Sequence, residues 1–160
     1  MKYFKNGLIS LISACAPHAR TGATFYVVGS HADEEILSLH SEAGGICIKG
    51  FVSEEELEAL YAQVRVVAVP LLFGAGVKGK VIEALYFGCP VMTTTTGAEG
   101  IPDAETVMTV SDEAGAMAEE LIRMYNDTER LDAMSAAALK YVRAHHGPDA
   151  VWDIIKDDFA

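Results

Sequence analysis

The chain has 160 residues, 51% apolar or aromatic and 22% charged, a balance that suits one folded domain and excludes intrinsic disorder. Twelve Lys and Arg stand against 23 Asp and Glu, for a net charge of -11, so generic binding to nucleic acid or an anionic membrane is excluded and any anion must be held locally. The imbalance is regional: residues 1–98 carry 7 basic and 9 acidic side chains and residues 99–160 carry 5 and 14, which reads as a solvated acidic flank. Cys15, Cys47 and Cys89 lie in apolar stretches without a CxxC pair, the pattern of buried free thiols in a reducing compartment. No run is apolar enough to span a membrane and the start lacks a basic-then-apolar leader, so the expected location is the cytoplasm.

In chain order, Leu8, Ile9, Leu11, Ile12 and Cys15 share one helical face, and Pro17 marks that helix's end. Residues 24–28 (TFYVV) predict a strand closed by Gly29 and Ser30, and 33–40 a helix opened by Asp33, Glu34 and Glu35. Residues 46–49 predict a second strand ending at Gly50. Ser53 and Glu56 then form a capping box before a helix whose buried stripe is Leu57, Leu60 and Tyr61. Residues 64–69 predict a third strand stopped by Pro70, 77–87 a helix ended by Gly88, and 90–93 a fourth strand. A loop over 94–104 leads to an edge strand at 106–110, and helices are expected at 112–125, 128–145 and 149–159. Strands alternating with helices define an α/β class with a parallel sheet covered on both faces. Ligands in such sheets sit beyond the carboxyl ends of the strands.

The densest chemical signal is Gly74-Ala75-Gly76-Val77-Lys78-Gly79-Lys80. Small residues let a backbone approach a ligand, and a helix start offers unpaired N–H groups to an anion. Two lysines at i and i+2 cannot share one helix face, so one is expected to reach phosphates and the other to pack toward solvent or a neighbouring loop. The stretch also matches GxxxxGK, but Val81 stands where a triphosphatase needs a Mg²⁺-binding Ser or Thr, and that reading fails. Glu83, three residues past Lys80, either turns toward the loop to accept two ribose hydroxyls or pairs with Lys80 on a solvated surface. Glu99, between Gly97 and Gly100, and His31 are weaker ligand candidates, and the Thr93 to Thr96 run suits either a phosphate or a strand end. His145 and His146 read as a helix end favoured by the dipole, and no metal site is expected.

Taken together, FYVVGS (25–30), KGFVSEEELEALYA (49–62), VAVPLLFGAGVKGKVIEALYFGCPVMTT (67–94) and TGAEGI (96–101) resemble the C-terminal, donor-binding domain of the group 1 glycosyltransferases, a retaining family with the two-Rossmann-domain GT-B architecture. The resemblance covers nearly the whole chain, with residues 70–90 its most specific block. It implies one Rossmann-like, three-layer nucleotide-sugar-binding domain over residues 1–160, the donor half of an enzyme whose N-terminal acceptor domain is absent. By the same resemblance Lys80 and Glu83 are the catalytic pair, with Glu83 on the ribose hydroxyls. The segment from Gly76 through Val77 and Lys78 to Lys80 lies along the diphosphate, Gly50, Phe51 and Val52 read the base, Gly29 and Ser30 lie beside it, and Gly74, Ala75 and Glu99 complete the donor-binding residues. The nucleotide-diphosphate sugar is a substrate, and neither a cofactor nor a metal is implied.

Two departures from the family pattern matter. Ala75 stands where a second glutamate is commonest, eight positions before Glu83, and alanine cannot hydrogen-bond a sugar hydroxyl. Residues 1–6 resemble the loop that follows the first strand in relatives, so the central first strand of an order 3-2-1-4-5-6 is expected to be missing. The unpaired edges would then invite self-association or dependence on a neighbour. The resemblance therefore implies a donor-binding half, inactive alone, of a cytoplasmic enzyme that sits peripherally at the inner membrane face when whole. The alternative from the residues is a non-catalytic nucleotide-binding or association module.

Overall fold

Apolar runs too short to be helices, each followed by a loop and a helical stretch, set the architecture. The structure is a computed structural model and describes residues 8–12, 22–30 and 32–147. Helix α1 comprises residues 8–12. The order continues β1 (Phe25–Val28), α2 (Glu34–Leu37), β2 (Ile46–Gly50), α3 (Glu54–Tyr61), β3 (Val67–Val69), α4 (Gly79–Tyr86), β4 (Val91–Thr93), α5 (Thr95–Ala98), β5 (Met108–Val110), α6 (Ala114–Asn126) and α7 (Thr128–His146). The expected helix at 149–159, the helix end at Pro17, Cys15 and His31 lie outside the described residues.

Local chemistry explains the boundaries. The Ser53 capping box forms as expected, with the Glu56 amide donating to Ser53 Oγ at 3.2 Å and the Ser53 amide to Glu56 Oε2 at 2.9 Å. Helix α4 buries Val81, Ala84 and Leu85, an i, i+3, i+4 stripe. It stops at Gly88, whose φ of 70° lets the Cys89 amide close back on the Ala84 carbonyl at 2.9 Å. Its start differs from the expected 77–87, because Gly76 is left-handed and Lys78 extended, which keeps Val77 and Lys78 in the loop. The third strand is shorter than 64–69: its ladder begins where the Val67 amide meets the Pro90 carbonyl, at 2.9 Å. The expected loop over 94–104 contains helix α5, nucleated when Thr94 Oγ1 accepts from the Gly97 amide at 3.1 Å. A 3-10 turn at Ala104–Thr106 follows Asp103, which is left-handed. Helix α2 covers less than 33–40, ending at Leu37.

All pairings between strands are parallel, and they fall into two sheets: β1 with β2, and β3-β4-β5 with β4 central. β5 is an edge, as expected. Among the described residues no strand joins β1 to β3, and residues 1–6, on which the expectation of a missing first strand rested, lie outside them. Alternation across β4 shows helices on both faces. Val91 packs with α4 and α7 residues such as Leu85 and Ala138, whereas Met92 packs with Leu11 of α1 and with Met117, Leu121 and Met124 of α6. The fold is therefore α/β with helices flanking parallel sheets. One expectation is corrected: Leu57, Leu60 and Tyr61 of α3 are only half-buried and that helix buries no residue, because its apolar stripe faces a cavity. Cys47 is likewise half-buried, whereas Cys89 is buried and its thiol is pushed up to about 11 by that burial.

Candidate functional site

Three threonine hydroxyls hang the β3–α4 loop on the end of β4. Thr93 Oγ1 donates to the Val69 carbonyl at 2.8 Å, Thr94 Oγ1 donates to the Leu71 carbonyl, and Thr96 Oγ1 reaches the Leu72 carbonyl at 3.5 Å. These hydroxyls satisfy backbone groups beside the strand end. The choice left open between phosphate ligand and strand end falls, for Thr93, Thr94 and Thr96, on the structural side. They fix the segment that delivers Gly74 to Lys80.

Within that segment the two lysines divide, although Lys78 stays in the loop and not on the helix to which the spacing argument assigned both. Lys78 folds back into its own loop, where its ammonium bonds the Gly76 carbonyl and pairs with Glu99 Oε2 at 3.2 Å. Its side chain is 11% exposed against 51% for Glu99, so the pair bridges two loops at the surface. A Cβ at Gly74 would lie 3.2 Å from Lys78 Cε and one at Gly100 would lie 2.9 Å from Val77 Cγ2. Both glycines therefore allow this close nesting of the two loops. Lys80 is exposed. Among the described residues its ammonium has no partner, and neither have the Gly79 and Lys80 amides at the start of α4, whose N-cap residue Lys78 provides no side-chain cap. A helix start with bare N–H groups beside a free ammonium is suited to an anion.

Of the remaining expected residues, Gly29, Ser30, Phe51, Val52 and Lys80 line a cavity of about 650 Å³, whereas Gly50 and Glu83 are not part of its lining. The Gly29 amide donates to the Gly50 carbonyl at 2.8 Å, which ties the turns after β1 and β2 together. Glu83 is half-buried and makes no hydrogen bond or ion pair among the described residues, so the Lys80–Glu83 surface pair left open above does not form. Its carboxylate acts on Tyr61, a cavity-lining residue legible in the sequence only as part of a helix stripe. Burial, then the Glu83 charge, then Cys89 push that phenol up to about 12. Tyr61 also stacks on Phe87 with ring centroids 4.7 Å apart. The site is thus two clusters, the cavity residues and the nested loops of Gly74 to Lys78 with Glu99, joined at the start of α4. Ala75 and Val77 are exposed on the second. His145 and His146 lie in the basic last turn of α7, with the His145 ring stacked on Tyr141 at 4.3 Å between centroids.

A clamp beside the site went unnoticed in the sequence. The Thr95 amide donates to Asp112 Oδ1 at 2.7 Å and the Thr95 hydroxyl donates to Oδ2 at 2.6 Å. These bonds, the hydroxyl's first, hold the Asp112 carboxyl below its ordinary value. A folded-state value below the unfolded one adds stability that is present above about pH 4 and is lost as the pH falls through the folded value. Asp112→Ala is expected to lower the urea midpoint at pH 7, with the gap to the parent chain closing below about pH 4. A gap independent of pH would contradict the clamp.

The fold and site define a parallel α/β domain with an anion-suited helix start at the carboxyl side of its sheet. The chain belongs to the group 1 glycosyl transferases, a family that matches residues 1–127. Comparison with curated proteins gives no match. Among solved structures, it is similar to sucrose-phosphate synthase from Thermosynechococcus elongatus at 20% identity and a TM-score of 0.77, covering 99% of this chain and 42% of that one. It is similar to Anabaena HepE, solved in complex with UDP, at 17% identity and a TM-score of 0.80, covering 99% and 46%. The C-terminal domain of the group 1 glycosyl transferase LpcC from Francisella tularensis matches at 15% identity and a TM-score of 0.74, covering 92% and 82%. The chain spans under half the length of the first two and most of the third. At these identities the likeness is one of fold. No helix among the described residues is long and apolar enough to cross a membrane.

Proposed function

We propose that this chain is the donor-binding half of a retaining glycosyltransferase, holding a nucleotide-diphosphate sugar whose sugar passes to an acceptor hydroxyl across a cleft shared with a second domain. One observation carries the reading: among the described residues the Gly79 and Lys80 amides and the Lys80 ammonium at the start of α4 have no partner, and neither has the Glu83 carboxylate one turn further on. The diphosphate lies against that helix start, and Glu83 accepts the two ribose hydroxyls. Phe51, 81% exposed beside Gly50 and Val52, gives the base a ring to lie on. Gly29 and Ser30 border it. Lys78 reaches the phosphates by exchanging Glu99 for them, and the freed Glu99 faces the sugar, where Ala75 offers no hydrogen bond.

As the bond to the sugar breaks, negative charge grows on the departing diphosphate. The lysines and oriented amides stabilise it electrostatically, and the reading routes no step through a metal or cofactor. The UDP bound to HepE supports a nucleoside diphosphate as the ligand class. The reading places the enzyme in the cytoplasm, peripheral at the inner membrane face when whole.

Titration with uridine, guanosine and adenosine diphosphates tests this. Saturable binding of at least one, weakened by Lys80→Ala and by Glu83→Ala, is expected, and binding of none overturns the reading. The chain alone binds without turnover, because the acceptor side of the cleft is not supplied by these residues. Sugar transfer at an ordinary rate by the 160 residues alone would contradict that part. A second reading, a non-catalytic association module, is favoured by the lack of a strand joining β1 to β3 among the described residues.

A further inference from the structure

Lys78 and Lys80 differ by one partner, Glu99, and the fold fixes where that partner stands. Glu99 is the C-cap residue of α5, with φ −56° and ψ 129°. The helix is pinned from two sides: Thr94 Oγ1 accepts from the Gly97 amide at 3.1 Å, and Asp112 accepts from the Thr95 amide at 2.7 Å and the Thr95 hydroxyl at 2.6 Å. Gly100 then turns the chain with a φ of 76°, so close to the β3–α4 loop that a Cβ on it would lie 2.9 Å from Val77 Cγ2. With its neighbours on both sides held, Glu99 carries its carboxylate to Lys78. The Lys78 ammonium lies 3.2 Å from Glu99 Oε2 and also donates to the Gly76 carbonyl, and only 11% of its side chain is exposed. Among the described residues the exposed Lys80 ammonium has no such partner.

A carboxylate bonded to an ammonium group offers it what a phosphate oxygen would, an anionic acceptor. The two cations are therefore not equally available to a ligand. A phosphate at the Gly79 and Lys80 amides meets a free ammonium and displaces nothing. A second phosphate gains Lys78 only by displacing Glu99, and a competitor tethered beside its target acts at a high effective concentration whatever the ligand concentration. Affinity falls with the fraction of molecules in which the lysine is free. Partly exposed ion pairs leave that fraction at roughly a tenth to a third, so the second phosphate binds about three- to tenfold more weakly than it would to an unpaired lysine.

We propose that Glu99 is a specificity-determining residue, a competitor for phosphate built into the fold, and that exchange of the Lys78–Glu99 pair sets how strongly a nucleoside diphosphate is preferred over the monophosphate. This rests on the nucleoside-diphosphate reading and adds to it that the exchange lowers affinity. The loss falls on the bare diphosphate, which the proposed transfer leaves behind, and favours its release. A donor still carrying its sugar recovers part of the loss, because the freed carboxylate accepts from a sugar hydroxyl.

Calorimetric titration tests this with whichever of uridine, guanosine and adenosine diphosphate binds the parent chain, and with the matching monophosphate. Glu99→Gln keeps the size of the side chain and removes its charge. It is expected to tighten the diphosphate about three- to tenfold and to tighten it at least about threefold more than the monophosphate. The gain must pass through Lys78, so in the Lys78→Ala background the same substitution is expected to change diphosphate affinity by less than about twofold. A general effect of removing a negative charge would persist in that background and would tighten the monophosphate equally, and either result overturns the proposal. A Glu99→Gln chain that binds the diphosphate no better than the parent, or more weakly, also overturns it. All of these outcomes leave the nucleotide reading standing. Binding of no diphosphate by parent or variant overturns that reading and this inference together.

Discussion

Lys80→Ala is expected to weaken binding of the nucleoside diphosphate about 10- to 100-fold and to flatten its salt dependence. An ammonium about 4 Å from a phosphate at an effective dielectric near 20 is worth about 4 kcal/mol, and exposure and screening cut that to roughly 1.5 to 3. Lys80 is exposed, which sets the lower end of the range. Glu83→Ala is expected to cost a comparable factor by a different route. Its carboxylate accepts hydrogen bonds from neutral hydroxyls, each about 1.5 to 3 kcal/mol when one partner is charged. The two variants therefore separate. The Lys80 effect shrinks with added salt and vanishes for a nucleoside without phosphates, whereas the Glu83 effect survives both changes. Calorimetry at two ionic strengths reads this directly, and identical responses of the two variants would remove the assigned roles.

Gly97→Ala is expected to destabilise the fold by about 2 to 4 kcal/mol, from overpacking and a lost buried hydrogen bond. A Cβ at Gly97 would lie 1.9 Å from Thr93 Oγ1 and 3.4 Å from the Val69 carbonyl. Thr93 and Gly97 are both buried. To admit the methyl group, Thr93 must rotate and release the Val69 carbonyl from the bond at 2.8 Å that anchors the β3–α4 loop. Thr93→Val keeps the volume and removes only the bond, so it costs less, about 1 to 2 kcal/mol. In the double variant Thr93→Ala/Gly97→Ala the losses do not add, because the smaller side chain makes room for the methyl. Urea unfolding of these three and of the single Thr93→Ala variant checks this, and additive losses of Thr93→Ala and Gly97→Ala would contradict the packing described. Loosening of the same loop is expected to lower nucleotide affinity together with stability.

Much of this was legible in the sequence because local and tertiary demands agree. The runs around Val27, Ile48, Ala68 and Met92 are β-branched or apolar between turn residues, and they form strands. Ser53 and Glu56 carry their cap in their spacing, and Gly88 marks its helix end because only a left-handed residue lets Cys89 close on Ala84. What was not legible depends on distant partners. The TTGA of α5 has little helix propensity, and its turn is held by Thr94 from one side and by Asp112, 17 residues on, from the other. The apolar spacing of α3 correctly gave an amphipathic helix. It could not show that Leu57 and Leu60 line a cavity, since periodicity identifies a face and not what covers it.

The candidate site was legible to the same degree. Spacing led to the expectation that Lys78 and Lys80 diverge, but Lys78 lies outside the helix and turns inward to Glu99, in a loop 21 residues away. That partner makes the difference between a neutralised lysine and a free one. Tyr61 was legible only as part of a helix stripe, because its link to the site follows from lying near Glu83, a relation no spacing rule connects.

The central claim is that the start of α4 is an anion site serving a nucleoside diphosphate. Backbone amide NMR of the full chain during titration with uridine, guanosine or adenosine diphosphate tests it most directly. The account predicts that at least one nucleotide produces saturable shifts, largest at the Gly79 and Lys80 amides and absent in Lys80→Ala at the same concentration. Saturable shifts elsewhere with Gly79 and Lys80 unmoved, or no shift with any of the three, would contradict it.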